Sequence, residues 1–365
     1  MLKLALATLI SLCFMLEPAA AATKVKAKAT ATKRVKAKPA KRTEMARVIA
    51  ADNRKQMARR IAMVRGKRKI AYAAPVAAIL TAGDLAGLNR TRDPLDLRSS
   101  VAYVIDQNSS EVLFEKNSSV ALPIASITKL MTGLIVVQSG LNLDEVITIT
   151  DADVDKLKFS SSRVPVGTRM TRGNLLHIAL MSSENRAAAA LGRNYPGGIT
   201  AFVAAMNAKA AELGMNDTHH VDSSGLSSQN VSSARDLAKL AMVAHQEPLL
   251  RQYSTDPSYV VEGSGRPMNF HTTNYLVGLP DWNIGLQKTG FINEAGRCLV
   301  MQAMIQGRNV IMVFLDSKGK QSRTADAGRM RKWLEALKPA TIPATAAAGV
   351  PVTVSAAATA PSMVQ

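Results

Sequence analysis

Apolar and polar positions along the chain change period several times, and each change predicts a different element. Val101-Ala102-Tyr103-Val104-Ile105-Asp106 and Glu111-Val112-Leu113-Phe114-Glu115-Lys116 flank the turn-forming Asn108-Ser109-Ser110, which predicts a β-hairpin in a fold beginning near Leu97. Leu130, Met131, Leu134, Ile135 and Val137 then recur at roughly helical spacing, and Pro123 just upstream suits the entrance to a helix. Glu145 to Thr150 is another short strand. From Asp151 to about Leu250 the pattern is mostly helical, with Leu175, Leu176, Ala179 and Leu180 on one face. Thr200 precedes a second helix carrying Phe202, Val203, Met206 and Leu213, stopped by Gly214, and Ser233-Ala234-Arg235-Asp236 offers a capping box for a third, with Leu237, Leu240 and Ala241 inward. After Gly263 strands return: Leu286 to Ile292, then Cys298 to Ile305 and Val310 to Leu315 as a hairpin around Gly307-Arg308-Asn309. A last helix places Met330, Trp333, Leu334 and Leu337 on one face. The reading is a mixed α/β (α+β) domain over residues 91–338 with a helical block, 151–250, inserted in it.

Outside this domain, composition takes over from periodicity. Residues 1–22 read as a secretory signal peptide, with Lys3, an apolar run from Leu4 to Leu16 and the small residues Ala20-Ala21-Ala22 before Thr23. The apolar run is too short to span a bilayer alone; an uncleaved anchor is the alternative. Cleavage would leave Cys298 as the only cysteine, excluding an intramolecular disulfide, and its apolar neighbours Leu299-Val300-Met301 make a buried, inert thiol the plainer reading. Residues 23–90 form a basic, largely disordered tail. Between residues 23 and 70 eighteen Lys or Arg stand against Glu44 and Asp52, so nearly all of the chain's net charge of +19 sits there. Met45, Val48, Ile49, Met57, Ile61 and Val64 could line one face of a basic amphipathic helix in this tail. Such a tail in the cytosol suggests nucleic acid; behind an export signal, an anionic wall or membrane polymer is the expected partner and no nucleic acid is. A solvated linker is the alternative. Residues 339–365, rich in Ala, Pro, Thr and Val, read as disordered, and their lack of basic residues argues against a C-terminal membrane anchor. Five histidines without ligand-type spacing give no metal signal, and no cofactor is expected.

The candidate chemistry begins with Ser126 and Lys129, three residues apart at the start of the first helix, where both would share a face. A serine hydroxyl needs a base, and a lysine becomes one only when its charge is disfavoured. A helix N-terminus, positive in character, disfavours an ammonium. A second Ser-x-x-Lys, Ser317-Lys318-Gly319-Lys320, follows an apolar strand and reads as a surface turn. Ser183-Glu184-Asn185 lies in a loop inside the helical block, with Ser228-Gln229-Asn230 as a second copy of its pattern, and Lys288-Thr289-Gly290 occurs once, on a strand. Gly290 would let a substrate backbone approach that strand.

Ser-x-x-Lys, Ser-x-Asn and Lys-Thr-Gly in this order resemble the penicillin-binding proteins and serine β-lactamases. The text from Tyr103-Val104-Ile105-Asp106 to Leu130-Met131-Thr132-Gly133 resembles the low-molecular-mass D,D-peptidases in particular, over roughly residues 97 to 337. The resemblance implies an antiparallel sheet flanked by helices with a helical subdomain, and an activity in the periplasm on peptidoglycan stem peptides. It implies that Ser126 attacks a D-alanine carbonyl, Lys129 takes its proton and Ser183 relays it to the leaving amine. Asn185 would hold the substrate amide and Lys288 and Thr289 its carboxylate, with the backbone N–H groups of Ser126 and Phe291 as oxyanion hole. Lys288 would also help to keep Lys129 neutral, and β-lactam antibiotics would acylate the same serine. Only about 45 residues of folded chain follow Gly290, as in the penicillin-binding protein 7-like D-alanyl-D-alanine endopeptidases rather than the longer carboxypeptidases. A carboxypeptidase stays open, as does a non-catalytic wall-binding protein. So does a β-lactamase, although the chain lacks the Glu-x-x-Leu-Asn segment of one class.

Overall fold

The computed structural model describes residues 80–262 and 266–337, together with Lys55 and Met57, both in helical conformation. The signal peptide, the rest of the basic stretch up to residue 79 and the tail 339–365 lie outside the described residues. The folded unit falls within Ala77–Gln365. It begins earlier than the hydrophobic pattern suggests, because residues 80–90 are structured. A short helix, α1 (Ala82–Leu85), is closed by a reciprocal Thr81–Asp84 capping box, and the Ala82 N–H donates to the Glu294 carbonyl.

The predicted hairpin forms as β1 (Ser99–Asp106) and β2 (Val112–Lys116), its turn held by the N–H groups of Asn108 and Ser109 on the Asp106 carboxylate. The small strand β3 (Leu122–Pro123) follows, then a 3-10 turn, Ala125–Ile127, and α2 (Thr128–Gln138). Pro123 is thus a strand residue paired with Val231, not the entrance of a helix. β4 (Val146–Thr148) pairs with β5 (Arg169–Thr171). Between them most of the stretch expected to be helical is a loop. Its turn closes on Asp155, whose carboxylate accepts from the N–H groups of Leu157, Lys158 and Ser160 and so competes with helix formation.

The helical block contains α3 (Arg172–Met181), α4 (Asn185–Arg193), α5 (Gly198–Glu212), α6 (Ala234–Ala244, after β6, Val231–Ser232) and α7 (Pro248–Thr255). Thr200 lies inside α5, whose N-cap is Gly197. Ser233 caps α6 by accepting from the Asp236 N–H, but the reverse half of the box is missing: Asp236 accepts instead from the Asp217 N–H and the Thr218 hydroxyl.

After the hairpin β7 (Ser258–Val261) and β8 (Met268–His271) come β9 (Asn283–Ile292), β10 (Gly296–Ile305), β11 (Arg308–Ser317) and α8 (Ser322–Ala336). The β10–β11 turn is the pair Gln306-Gly307, both at positive φ, so Arg308 and Asn309 belong to the strand. The main sheet is antiparallel in the order β2-β1-β11-β10-β9, with β9 at an edge.

Side-chain alternation divides the core between the two faces of this sheet. Val101, Ile105, Cys298, Val300, Val313 and Leu315 pack with the helical block, while Ala102, Val104, Leu299, Met301, Met312 and Phe314 pack with Ala327, Met330 and Leu334 of α8. Both faces are covered, which is why the central strands read as unbroken apolar runs. Leu337 falls just past α8 and is 41% exposed.

Candidate active site

Ser126 sits in the 3-10 turn and Lys129 in the first turn of α2, so the two are not on one α-helix. The change of winding keeps a three-residue offset on the same side. Lys129 Nζ lies 2.9 Å from Ser126 Oγ, 2.8 Å from Asn185 Oδ1 and 2.5 Å from the Ser224 carbonyl oxygen. The three contacts serve both charge states: an ammonium donates to all three, and a neutral amine keeps donating to Asn185 and Ser224 while accepting from the serine hydroxyl.

Lys129 is fully buried, and burial is the largest cause of a pKa lowered to about 7. The carboxylates of Asp222, Glu184 and Asp155 act in the opposite direction and keep it from falling further. The sequence offered the helix N-terminus and Lys288 as the reasons for a neutral Lys129; the geometry assigns the main part to desolvation instead. About half of Lys129 is unprotonated at neutral pH, against roughly one part in a few thousand for a lysine in water.

The loop after α3 brings in the second motif. Ser183 adopts a left-handed φ of 63°, a conformation costly outside glycine, and its Oγ accepts from Lys288 Nζ at 2.9 Å. Asn185 opens α4; besides meeting Lys129 it donates from Nδ2 to Ser160 Oγ at 2.9 Å, joining the loop 154–168 to the site. The alternative copy does not enter: Asn230 is buried against Asp222.

The third motif lies on β9. Lys288 is fully buried, donates to Ser183 Oγ and to the Thr289 carbonyl, and its ammonium is held well below the ordinary lysine range by burial, with Lys129 and Arg323 adding to the effect. Thr289 Oγ1 is 2.5 Å from Thr273 Oγ1. At Gly290 an added Cβ would stand 2.8 Å from the Ile124 carbonyl oxygen and 3.2 Å from the Ser126 nitrogen. The glycine is therefore required by the close approach of the turn that carries Ser126, a constraint different from the substrate approach that the sequence suggested. Phe291, next along the strand, is exposed.

Ser126 and Asn185 thus meet at the Lys129 amine, Ser183 meets Lys288, and Gly290 brings β9 against the Ser126 turn, while Thr289 and Phe291 are placed by their positions on the same strand. Sequence reasoning missed others. Asp222 accepts hydrogen bonds from the N–H groups of Ser224, Gly225 and Ser227, the Ser224 hydroxyl and Asn230 Nδ2, folding the loop that delivers the Ser224 carbonyl to Lys129. The run Asp222-Ser223-Ser224-Gly225 carries turn chemistry that could have marked it. Arg323, on α8, donates to the Gly290 carbonyl at 2.6 Å. No local sequence signal ties it to a strand 33 residues earlier.

Comparison with known proteins covers this same region. Residues 88–319 match the model of the peptidase S11 family, described as D-alanyl-D-alanine carboxypeptidase. A D-alanyl-D-alanine endopeptidase of Pseudomonas aeruginosa is 49% identical over 255 residues, 69% of this chain and 82% of the relative. One from Escherichia coli is 44% identical over 253 residues, with the same shares. The crystal structure of the Streptomyces K15 DD-transpeptidase superposes with a TM-score of 0.62 at 29% identity, covering 67% of this chain and 98% of that one.

Proposed function

Because this chain belongs to the peptidase S11 family of serine D,D-peptidases, we propose that it is a D-alanyl-D-alanine endopeptidase that opens peptidoglycan cross-links through an acyl-enzyme on Ser126. The observation that carries the chemistry is the buried Lys129 amine, with a pKa near 7, 2.9 Å from Ser126 Oγ. Two relatives at 49% and 44% identity are named as endopeptidases, which favours that specificity over the carboxypeptidase one.

In this mechanism Lys129 takes the Ser126 proton as Oγ attacks the D-alanine carbonyl. The oxyanion is held by the N–H groups of Ser126 and Phe291, where losing one donor typically costs about 3 to 4 kcal/mol of transition-state stabilisation. Ser183, in contact with Lys288, passes a proton to the leaving amine. Asn185 orients the substrate amide while fixing Lys129. Lys288 and Thr289 receive the carboxylate of the leaving residue. A carboxylate beside Lys288 would oppose the effect of burial and favour the charged form of the amine. Arg323, at the Gly290 carbonyl, adds a second positive charge to that pocket. Water then hydrolyses the acyl-enzyme, with Lys129 as base. A β-lactam would acylate Ser126 by the same route.

Residues 1–22 would direct the chain to the periplasm and residues 23–70 would tether it to an anionic polymer. The catalytic domain is taken to begin at about residue 80 and its helical block to run from Arg172 to Thr255, in place of the 91–338 and 151–250 read from the sequence. Among the described residues no helix is long and apolar enough to cross a membrane.

The test supplies purified protein with cross-linked muropeptide dimers and with pentapeptide monomers and follows both by mass. Cleavage of dimers, abolished in Ser126→Ala together with penicillin labelling, is the expected result. Exclusive release of terminal D-alanine would reject the endopeptidase reading, and turnover of penicillin without either cleavage would point to a β-lactamase.

A further inference from the structure

The loop 154–168 is built onto the Ser183-Glu184-Asn185 motif. Ser160 Oγ accepts from Asn185 Nδ2 at 2.9 Å, the Ser162 hydroxyl donates to the Glu184 carboxylate at 2.5 Å, and the Arg186 guanidinium donates to the Val164 carbonyl at 2.7 Å. At its tip the loop is tied a second time, to the turn that follows β9. Lys158 forms an ion pair with Glu294, and the Ala82 N–H holds that turn by donating to the Glu294 carbonyl. Phe159 stands between the two ties. Its φ of 53° is a left-handed conformation, costly for a bulky residue, yet it is 82% exposed, so no core packing offsets the strain. Among the described residues its ring stacks on no other ring and on no cation.

The direction of the substrate gives this loop tip its place. With the leaving residue's carboxylate at Lys288 and Thr289 and the scissile carbonyl at the Ser126 and Phe291 N–H groups, the leaving group lies on the Lys288 side of Phe291. The acyl part therefore continues the other way along β9, past Phe291 and Ile292 towards Glu294. The loop tip spans the same interval: Ser160 is bonded to the side chain assigned to the substrate amide, and Lys158 to the turn where β9 ends. From Phe291 to Glu294 is about 10 Å of extended chain, enough for about three residues of a peptide lying beside it. An exposed aromatic residue fixed at both shoulders along this interval is suited to cover apolar atoms of the acyl part.

We propose that Phe159 is the acyl-side contact of this site. Its ring covers the apolar part of the stem residue that precedes the reacting D-alanine, or the corresponding substituent of a penicillin. Lys158 and Glu294 are positioning residues that hold the loop tip against the end of β9. This rests on the serine D,D-peptidase reading above and adds the residues that receive the acyl stem. Because dimers and pentapeptide share that stem, the contact raises the rate on both and does not choose between them.

The test measures second-order acylation of the full-length chain by benzylpenicillin and by the same nucleus carrying an acetyl group in place of phenylacetyl. The acetyl compound keeps the amide for Asn185 and lacks the ring. Phe159→Ala keeps the Cβ and its strained φ, so it isolates the side chain: benzylpenicillin should slow about tenfold and the acetyl compound less than about twofold. Phe159→Tyr should stay within about twofold of wild type on both. In Phe159→Ala, kcat/KM on cross-linked dimers and on pentapeptide should fall together. Lys158→Gln and Glu294→Gln, which break a partly exposed pair, should each slow benzylpenicillin by up to about fivefold. The double variant should be no slower than either single one, because both act through one ion pair. An unchanged benzylpenicillin rate in Phe159→Ala overturns the contact. An equal fall with both penicillins overturns it as well, showing that the loop only supports Asn185, and so does a fall on dimers alone, which would put Phe159 on the leaving side. A wild type that takes no penicillin on Ser126 defeats the D,D-peptidase reading itself, and is recognised before any variant is made.

Discussion

In the proposed mechanism Lys129 sets the pH at which the site works. Only its neutral form can accept the Ser126 proton, so acylation by a fluorescent penicillin should rise with pH along a limb centred near 7, not near the ordinary lysine value of 10.5. A profile flat between about pH 5 and 9 would remove Lys129 as the base. Asp222 stands behind that value. Its carboxylate is the largest of the charges that raise the Lys129 pKa, so Asp222→Asn should move the limb to lower pH. The same variant should slow acylation, because the Ser224 carbonyl loses the anchor that holds its loop. Slower acylation with an unmoved limb would leave Asp222 a purely structural role. Ser126, Lys129, Ser183 and Lys288 were legible as residue types in order, since the chemistry demands those types. The acceptors that hold Lys129 were not, because a backbone carbonyl such as that of Ser224 has no signature in sequence.

At the scale of elements, the 3-10 turn carrying Ser126 is clamped between two glycines. Gly290 approaches it from β9 and Gly225 from the Asp222 loop, where an added Cβ would fall 1.9 Å from the Ala125 carbonyl oxygen. Gly225 also has φ +82°, which L side chains rarely adopt. Gly225→Ala should therefore destabilise the protein by about 2 kcal/mol or more, read as a melting temperature lower by roughly 4 °C or more, and acylation should fall with it. A variant as stable and as fast as wild type would mean that the turn is not clamped. Helix and strand identities were largely legible here, because α3, α6, β10 and β11 bury apolar residues at the expected periods. The stretch 154–168 was misread as part of a helical block, since Asp155 bonds backbone N–H groups that a helix would otherwise use. Residues 80–90 were assigned to the tail because their order depends on contacts such as the Ala82 N–H with the Glu294 carbonyl, more than two hundred positions away.

For the whole molecule, burying Lys129 ties folding to pH. The unfolded chain keeps the lysine proton up to about pH 10.4, and the folded chain only up to about 7. Unfolding in that interval takes up a proton, so this residue's contribution to stability rises with pH from about 7 to 10 and is least favourable below 7. In denaturant titrations at several pH values, wild type should gain on Lys129→Met across that window. A difference constant with pH would show that the amine is not desolvated as described. Stability given up at neutral pH is the physical cost of holding a neutral amine beside Ser126.

The sequence by itself determined that a mixed α/β domain would form and set out three motifs in the order that resembles the serine D,D-peptidases. Periodicity and residue type are local properties, and both are written along the chain. Only the tertiary structure decided what makes Lys129 basic, which backbone atoms hold it, and that Arg323 and the Lys158–Glu294 pair stand beside the same strand. Desolvation, close backbone approach and the field of distant charges depend on what packs against what, and segments far apart in sequence meet only in the folded chain.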